Sequence, residues 1–244
     1  GVEVQLNVVP VRTQNFEWNI DVNWAKNENK VVELADGLDV YRIGGYQGGV
    51  SLNAYVNNAF GVLLGTDYIY TNGQKTIDPN TGRYLRTSES NKVIGNITPD
   101  WTGGVRNTFS YKNFSAGFLI DVQQGGDVFS TDMYYGLATG LYAETAVGDY
   151  RTAGVVHPGV NPNGQVNTKA TISPEYYGNV DGYRRMPNAR FVYDASYVKL
   201  REASITYKLP QSVLSGPFLE EAKISIVGRN LWIIHKNLPY ADPE

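Results

Sequence analysis

The sequence predicts an all-β fold, an antiparallel transmembrane β-barrel segment with long extracellular loops. The first observation is a set of strand-like runs in which apolar and polar residues alternate with a period of two. The second is an asymmetry, because short turns join these runs at one end and long irregular segments at the other. The third is length, since barrel strands need only about 9 to 11 residues each to cross a membrane.

The first two runs cover 2–11 and 15–25 and are joined by a few residues. The second run has the cleanest alternation in the chain, with Phe16 and Trp24 at its opposite ends. Such positions suit the aromatic girdles of outer-membrane barrels, where a ring lies in the apolar layer and its edge lies among headgroups. A soluble β-sandwich strand with aromatic core residues would show the same alternation, so this pattern alone leaves both folds open.

The next segment, 26–102, is a long loop with some structure of its own. Asn72-Gly73 is a strong signal for a two-residue hairpin turn, and residues 78–82 read as a second turn. We expect a small projecting hairpin in this loop.

The clearest hairpin follows, with runs at 104–111 and 114–124 separated only by Lys112-Asn113. Each run has one apolar face and one mostly polar face. The apolar positions are Val105, Phe109, Tyr111, Phe114, Ala116, Phe118, Ile120 and Val122.

A second long loop, 124–195, leads to the last two runs, 196–209 and 222–234. In this loop we expect a short helix over 130–144, capped by Ser130 or Thr131. The run 196–209 changes phase near Arg201-Glu202, because its apolar residues are even-numbered before this point and odd-numbered after it. Either a β-bulge restores a continuous apolar face there, or the outer half of the strand stands clear of the bilayer.

The six runs give a consistent orientation. Short connections in such barrels face the periplasm, so the turns near 12–14, 112–113 and 210–221 are expected there. The loops 26–102 and 124–195 are then extracellular.

Composition narrows the function classes. The 244 residues include 21 basic and 24 acidic residues, for a net charge of -3, so no electrostatic footprint for nucleic acid is present. The chain has no cysteine, which excludes disulfides and thiolate chemistry. Its two histidines lack the spacing of a metal site or catalytic triad, so we expect neither an enzyme nor a cofactor or metal.

Two blocks of motifs resemble the SusC/RagA family of TonB-linked outer-membrane transporters, and their order along the chain agrees with that family. The first block comprises Gly95–Trp101, Asn107–Phe114, Asp121 and Gly125–Val128. The second comprises Asp194–Glu202, Tyr207–Pro210 and Gly228–Trp232, which look like late barrel strands.

This resemblance implies a barrel of about 22 strands with a plugged lumen in the outer membrane of a Gram-negative cell. It also implies active import of an oligosaccharide, or a peptide, driven by the TonB–ExbB–ExbD complex beneath a SusD-like lipoprotein. The chain begins in mid-pattern, so we expect a late part of a longer protein, with the signal peptide, plug, TonB-contacting segment and final strands outside it. No catalytic residue is carried over.

Two sets of residues are candidates for contacts with other molecules. Charged residues on the polar faces of the runs are expected to face the lumen and meet the plug; they are Glu17, Asp21, Arg106 and Asp121. The second long loop is rich in tyrosines, which can stack on sugars and form hydrogen bonds. Candidate contacts to a ligand or partner there are Tyr134, Tyr135, Tyr142, Tyr176, Tyr177, Tyr183 and Arg184.

For any single tyrosine, packing between the loops or against a partner is the favoured explanation, and Arg184 fits a solvated surface cluster equally well. Two alternatives to active import remain, a carbohydrate-binding β-sandwich module and a passive porin.

Overall fold

The computed structural model describes residues 1–148, 150–171, 182–214 and 221–243. One α-helix, α1 (Thr131–Thr139), is accompanied by short 3-10 helices at Gln47–Gly49, Ala143–Ala146, Tyr183–Arg185, Asn188–Phe191 and Gln211–Val213. No helix within these ranges is long and apolar enough to cross a membrane. The strands in chain order are β1 (Val2–Arg12), β2 (Phe16–Lys26), β3 (Val40–Gly45), β4 (Ser51–Tyr55), β5 (Val62–Gly65), β6 (Tyr70–Thr71), β7 (Gln74–Lys75), β8 (Lys92–Asn96), β9 (Trp101–Tyr111), β10 (Phe114–Gln124), β11 (Asp127–Phe129), β12 (Val155–Val156), β13 (Ala170–Thr171), β14 (Val192–Asp194), β15 (Tyr197–Lys208) and β16 (Lys223–Lys236).

The six long strands form one antiparallel sheet in the order β1-β2-β9-β10-β15-β16. They occupy the six runs in which the sequence indicates spanning strands, although β9 begins earlier, at Trp101. Lys112 has a φ of 51°, the left-handed conformation that a two-residue hairpin turn requires. All short connections between these strands lie at one end of the sheet.

The register of this sheet separates two faces. Directly opposed residues point to the same side, and pairs such as Val22 with Val105 and Ile205 with Ile226 place apolar residues together across all six strands. This face is uncovered, since Ile205 is 61% exposed and Ile226 is 77% exposed. A soluble β-sandwich would cover such a face with a second sheet, and no sheet within the described residues does so. The exposed apolar face therefore favours a barrel wall over a soluble sandwich.

Aromatic residues mark both ends of the apolar face. A row at the short-turn end consists of Phe16, Tyr111, Phe114 and Tyr207, which are successive partners across four strands. The opposite end carries Trp24, Trp101 and Trp232. The stretch from Phe114 to Val122 is about 27 Å long at about 3.3 Å per residue, or roughly 20 Å high in a strand tilted by about 40°. That height suits the apolar layer of an outer membrane.

A β-bulge at Arg201 corrects the phase of β15, as one of the two explanations from the sequence requires. Leu119 on β10 pairs with Glu202 while Ile120 pairs with Leu200, so Arg201 is the extra residue. On the other side, β16 is also irregular, and its Asn230 has a φ of 51°. The bulge places the side chains of Arg201 and Glu202 on the same polar face, although they are neighbours in sequence.

The two long loops fold together with residues 237–243 into a structure that we call the outer cap. It contains a second antiparallel sheet in the order β3-β4-β5-β8, which the sequence analysis did not predict. The central buried cluster of the cap consists of Val50, Leu63, Phe129, Met133, Tyr134, Leu137, Met186, Phe191 and Leu238. Among the buried apolar residues that the structure describes, only Tyr197 belongs to the six-stranded sheet.

Local signals placed two cap elements correctly. Asn72 and Gly73 have φ values of 52° and 76° and form the tight turn between β6 and β7. Helix α1 begins after Ser130, whose hydroxyl accepts a hydrogen bond from the amide of Met133 at 3.1 Å. The helix ends earlier than predicted because Gly140 adopts the left-handed conformation, with a φ of 71°.

The apolar face gives the first prediction. Replacing Ile205 with Arg puts a charge on this face, two residues from Tyr207 in the aromatic row, and should cost about 1 to 3 kcal/mol of folding free energy in a bilayer. Urea-dependent folding of the full-length protein into lipid vesicles would measure this loss. The neighbouring Ser204→Arg change, on the polar face, is the control; equal losses in both variants would contradict a lipid-facing role for Ile205.

Candidate functional site: the polar face and the outer cap

The polar face of the large sheet carries two groups of ion pairs. In the first, Glu202 accepts hydrogen bonds from Arg106 at 2.9 Å and from Arg229 at 3.3 Å. Its side chain is 21% exposed, whereas that of Arg229 is 77% exposed. One carboxylate is therefore shared by two guanidinium groups, so this group has an excess positive charge that faces solvent.

The second group surrounds the bulge. Arg201 donates to one carboxylate oxygen of Asp121 from Nε at 3.0 Å and from an Nη at 2.5 Å. The same guanidinium donates to the Tyr197 hydroxyl at 3.1 Å and to the side-chain oxygen of Asn230 at 3.0 Å. Asn230, in its left-handed conformation, thus joins the irregular part of β16 to the bulged residue of β15.

Amide side chains extend the polar face across β1 and β2. Asn7 donates to Asp21 at 2.6 Å and to Asn19 at 2.8 Å. A depression of about 490 Å³ lies beside them and is also lined by Arg106. A Cβ atom at Gly104 would lie 2.6 Å from the side-chain oxygen of Asn23, so a larger residue there would displace that side chain.

The four charged residues expected on the lumen side all lie on this polar face. Asp21 and Arg106 are direct partners in the register of β2 and β9, and Asp121 belongs to the bulge group. Glu17 lies near a short turn and pairs with Arg12 at 2.7 Å. Sequence reasoning did not assign Arg201, Glu202 and Arg229 to this face; the phase change at Arg201-Glu202 was the signal that could have found the first two.

Polar contacts join the large sheet to the cap. The Lys199 ammonium, whose side chain is 3% exposed, pairs with Asp242 at 2.5 Å. Asp194 accepts hydrogen bonds from the backbone amide of Ser196 at 2.8 Å and from the side chain of Asn237 at 2.8 Å. Burial opposes ionisation of Asp194, but the hydrogen bonds from Ser196 and Asn237 outweigh it and lower the pKa of this carboxyl.

The tyrosines of the second loop have different environments. Tyr134 is 1% exposed and packs against Phe129 and Phe191, so its ring belongs to the cap core and is not available to a ligand. Tyr135 and Tyr183 remain partly exposed, at 39% and 36%, with ring centroids 5.7 Å apart.

Of the four other candidates, Tyr142 is the one whose side chain is described. Its ring stacks on Tyr240 at 4.0 Å, and burial raises the pKa of Tyr142. Tyr142 lines a groove along α1, but one face of its ring is already occupied. Tyr176, Tyr177 and the side chain of Arg184 lie outside the described residues, so their expected contacts stay predictions.

One buried side chain connects the two long loops. Asn188 accepts hydrogen bonds from the backbone amide of Thr66 at 2.9 Å and from its hydroxyl at 2.8 Å, and donates to the backbone oxygen of Gly48 at 3.2 Å. These contacts span more than a hundred residues of sequence. They fix the position of the Gly48 turn relative to the second loop.

Together, the uncovered apolar face, the two aromatic rows and the charged opposite face define the class of protein: the chain is a segment of a transmembrane β-barrel wall with a folded outer cap. The strands are antiparallel and the polar face has charged and amide groups, as the interior of a large barrel has.

Comparison with known proteins shows which transporters the chain resembles. No family model matches the chain. The chain is 27% identical over 266 residues to TonB-dependent receptor P3 and 24% identical over 267 residues to TonB-dependent receptor P26, both from Formosa agariphila. Each match covers 100% of this chain and 25% of the relative. The chain therefore spans about a quarter of the length of these curated relatives.

Solved structures agree on the fold. The RagAB peptide transporter has a TM-score of 0.55 at 17% identity, over 95% of this chain and 25% of that chain. The RagAB peptide importer in its open-open state has a TM-score of 0.56 over 96% of this chain and 24% of that chain. The resemblance to SusC/RagA-type TonB-dependent transporters found in the sequence is confirmed as a similarity, and the fold of the chain matches part of such a barrel.

The Asn188 contacts give a prediction for the cap. Asn188→Ala leaves the buried Thr66 amide without its acceptor, which should cost about 1 to 3 kcal/mol and loosen both long loops. Limited proteolysis of intact cells displaying the full-length protein should show faster cleavage in both loops. Asn91→Ala is the control, because Asn91 is exposed and bonds only to Glu89 in its own loop; equal sensitivity of the two variants would contradict the role of Asn188.

The junction at Asp194 should depend on pH. Because the folded-state pKa of Asp194 is lowered, its hydrogen bonds contribute stability above its ordinary value of about 4, and this contribution is lost as pH falls through the lowered pKa. Hydrogen exchange of residues 194–199, corrected for intrinsic rates, should accelerate in that acidic range. Asp194→Asn should remove this pH dependence; the same dependence in the variant would assign it to another group.

Proposed function

We propose that the full-length protein imports a nutrient, an oligosaccharide, across the outer membrane of a Gram-negative cell by TonB-dependent active transport. The observation that carries this proposal is the two-faced sheet, whose apolar side fits lipid and whose opposite side holds paired charges. Similarity to TonB-dependent receptors along the entire chain supports the same function. The chain itself supplies wall and outer cap rather than catalysis, so the protein is a transporter and not an enzyme.

The polar face is proposed to line the lumen and to contact a plug. Arg229 supports this role, because it shares Glu202 with Arg106 and still exposes most of its side chain. An exposed guanidinium beside a shared carboxylate can accept a further acidic partner. Glu17, Asp21, Arg106 and Asp121 lie on the same face and are proposed to take part in the same contacts.

The outer cap is proposed to meet a SusD-like lipoprotein and the substrate, while the TonB–ExbB–ExbD complex acts through parts of the protein beyond this chain. The exposed rings of Tyr135 and Tyr183 support a substrate contact, because a tyrosine offers a flat face for a sugar and a hydroxyl for hydrogen bonding. RagAB, with a similar fold, is described as a peptide importer, so a peptide is the second candidate substrate.

Growth on single nutrients tests the transport proposal. A strain that lacks the gene should fail to grow on a subset of oligosaccharides and should regain growth with the full-length protein. Deleting the TonB-contacting segment from the full-length protein should abolish that growth. Growth that persists after this deletion would indicate a passive porin, and restored growth only on peptides would change the substrate class.

A separate experiment tests whether the polar face lines the lumen. Arg106→Ala and Asp121→Ala should each reduce transport while leaving the amount of folded protein in the outer membrane unchanged, because each removes one member of an ion pair on the polar face. Uptake of the nutrient that supports growth is the measurement, and folded protein is assessed by heat-modifiable mobility. Intact transport in both variants would contradict a lumen role for these residues.

A further inference from the structure

A polar groove of about 600 Å³ lies on the outer cap between the turn at 46–49 and the loop at 86–90. None of the candidate residues from the sequence lies in it. The side chains that line the groove include those of Tyr46, Gln47, Thr66, Arg86, Ser88 and Ser90.

The floor of this groove is rigidly built. Thr66 is 7% exposed and is held by the buried Asn188, which also binds the backbone of Gly48. Gly48 and Gly49 have φ values of 77° and 84°, a conformation that strongly favours glycine. A Cβ atom at Gly48 would lie 2.7 Å from the Tyr134 hydroxyl, so the turn lies directly on the cap core.

The walls, in contrast, present polar groups that have no protein partner. Within the described ranges, no hydrogen bond or ion pair involves the side chains of Gln47, Arg86, Ser88 or Ser90. The neighbouring Thr87 hydroxyl, in contrast, has a protein partner, because it donates to the backbone oxygen of Glu89 at 3.1 Å. An amide, two hydroxyls and a guanidinium with five N–H donors are thus available at one groove.

This groove meets a second one. Gln47 also lines a groove of about 410 Å³ beside helix α1, which contains Asp132 and Tyr135. Each groove is lined by an exposed tyrosine, Tyr46 at 43% in the first and Tyr135 at 39% in the second. Two neighbouring grooves with one aromatic residue each suit an oligomeric ligand, and the positive charge of Arg86 lies in the first groove only.

We propose that the groove at Arg86 binds the acidic unit of an oligosaccharide. Arg86 receives the oxyanion, a carboxylate or a sulfate, because a guanidinium pairs with planar or multidentate oxygen groups. Gln47, Ser88 and Ser90 bond to ring hydroxyls, and the Tyr46 ring packs on a sugar face. This inference rests on the proposed function and makes it more specific.

The groove favours a sugar over a peptide. Peptides are commonly held by main-chain pairing to a strand edge, with side chains in separate pockets. The 46–49 turn and the 86–90 loop are not strands and offer no such edge. Their exposed groups are mainly hydroxyl and amide, which match the dense hydroxyls of a sugar.

Binding to the purified full-length protein in detergent tests the proposal. The probes are an oligogalacturonate, a κ-carrageenan oligosaccharide, a neutral galactose oligomer of the same length and a glutamate tripeptide, all studied by calorimetry. We expect one or both acidic sugars to bind at least about tenfold more tightly than the neutral one, as a hydrogen-bonded charge allows. The carboxylate and sulfate probes distinguish the two sources of the oxyanion.

Variants assign this preference to Arg86. Arg86→Gln should weaken binding of the acidic sugar by about tenfold and leave neutral binding within about twofold, while Arg86→Lys should retain part of the preference. Lys112→Gln, which removes an exposed cation from the short turn at the opposite end of the large sheet, should have no effect. Unchanged protease resistance of the cap would show that Arg86→Gln still folds.

Several outcomes would overturn the inference. Equal binding of neutral and acidic sugars would remove the role of Arg86 but leave TonB-dependent import of an oligosaccharide intact. Tight binding of the glutamate tripeptide alone, or of no probe, would reject an acidic sugar site. The growth experiment with the TonB-contacting deletion is independent of Arg86, so failure of the transport proposal would be recognised separately.

Discussion

The structure depends on one constraint: each strand of the large sheet must keep its apolar side chains on a single face. Side chains alternate with a period of two, so a slip of one residue would move every apolar side chain to the polar face. The extra residue at Arg201 prevents this in β15, where the phase of the sequence changes. The bulge therefore preserves the lipid face and, as a consequence, concentrates Arg201 and Glu202 on the opposite face.

Hydrophobic residues are used in two different ways along the chain. In the sheet, large apolar residues such as Ile226 point outward and have no protein cover, which is stable only where lipid replaces water. In the cap, residues such as Phe191 and Leu63 are fully buried, as in a water-soluble domain. The cap thus acts as a folded body on top of the wall, and the Lys199–Asp242 pair and the Asp194 contacts attach it there.

This division separates two kinds of polar chemistry. On the sheet, Asp121 and Glu202 are each paired with arginines, and the excess positive charge of the Arg106–Glu202–Arg229 group faces solvent on the polar side. On the cap, Arg86 lies in the 86–90 loop beside the 46–49 turn, and no described side chain pairs with its guanidinium. Paired charges suit a surface that contacts another part of the same protein, whereas an unpaired cation on a rigid floor suits a ligand.

The sequence by itself determined the sheet, because alternation, the Lys112-Asn113 turn and the phase change at Arg201-Glu202 are local patterns with direct geometric meaning. It also placed Glu17, Asp21, Arg106 and Asp121 on one face. The tertiary structure alone decided the cap. Tyr134 and Tyr135 are adjacent in sequence, yet one is a core residue and the other is exposed. The burial of Tyr134 depends on Phe191 and on the Gly48 turn, which are distant in sequence, so no local pattern contains these contacts.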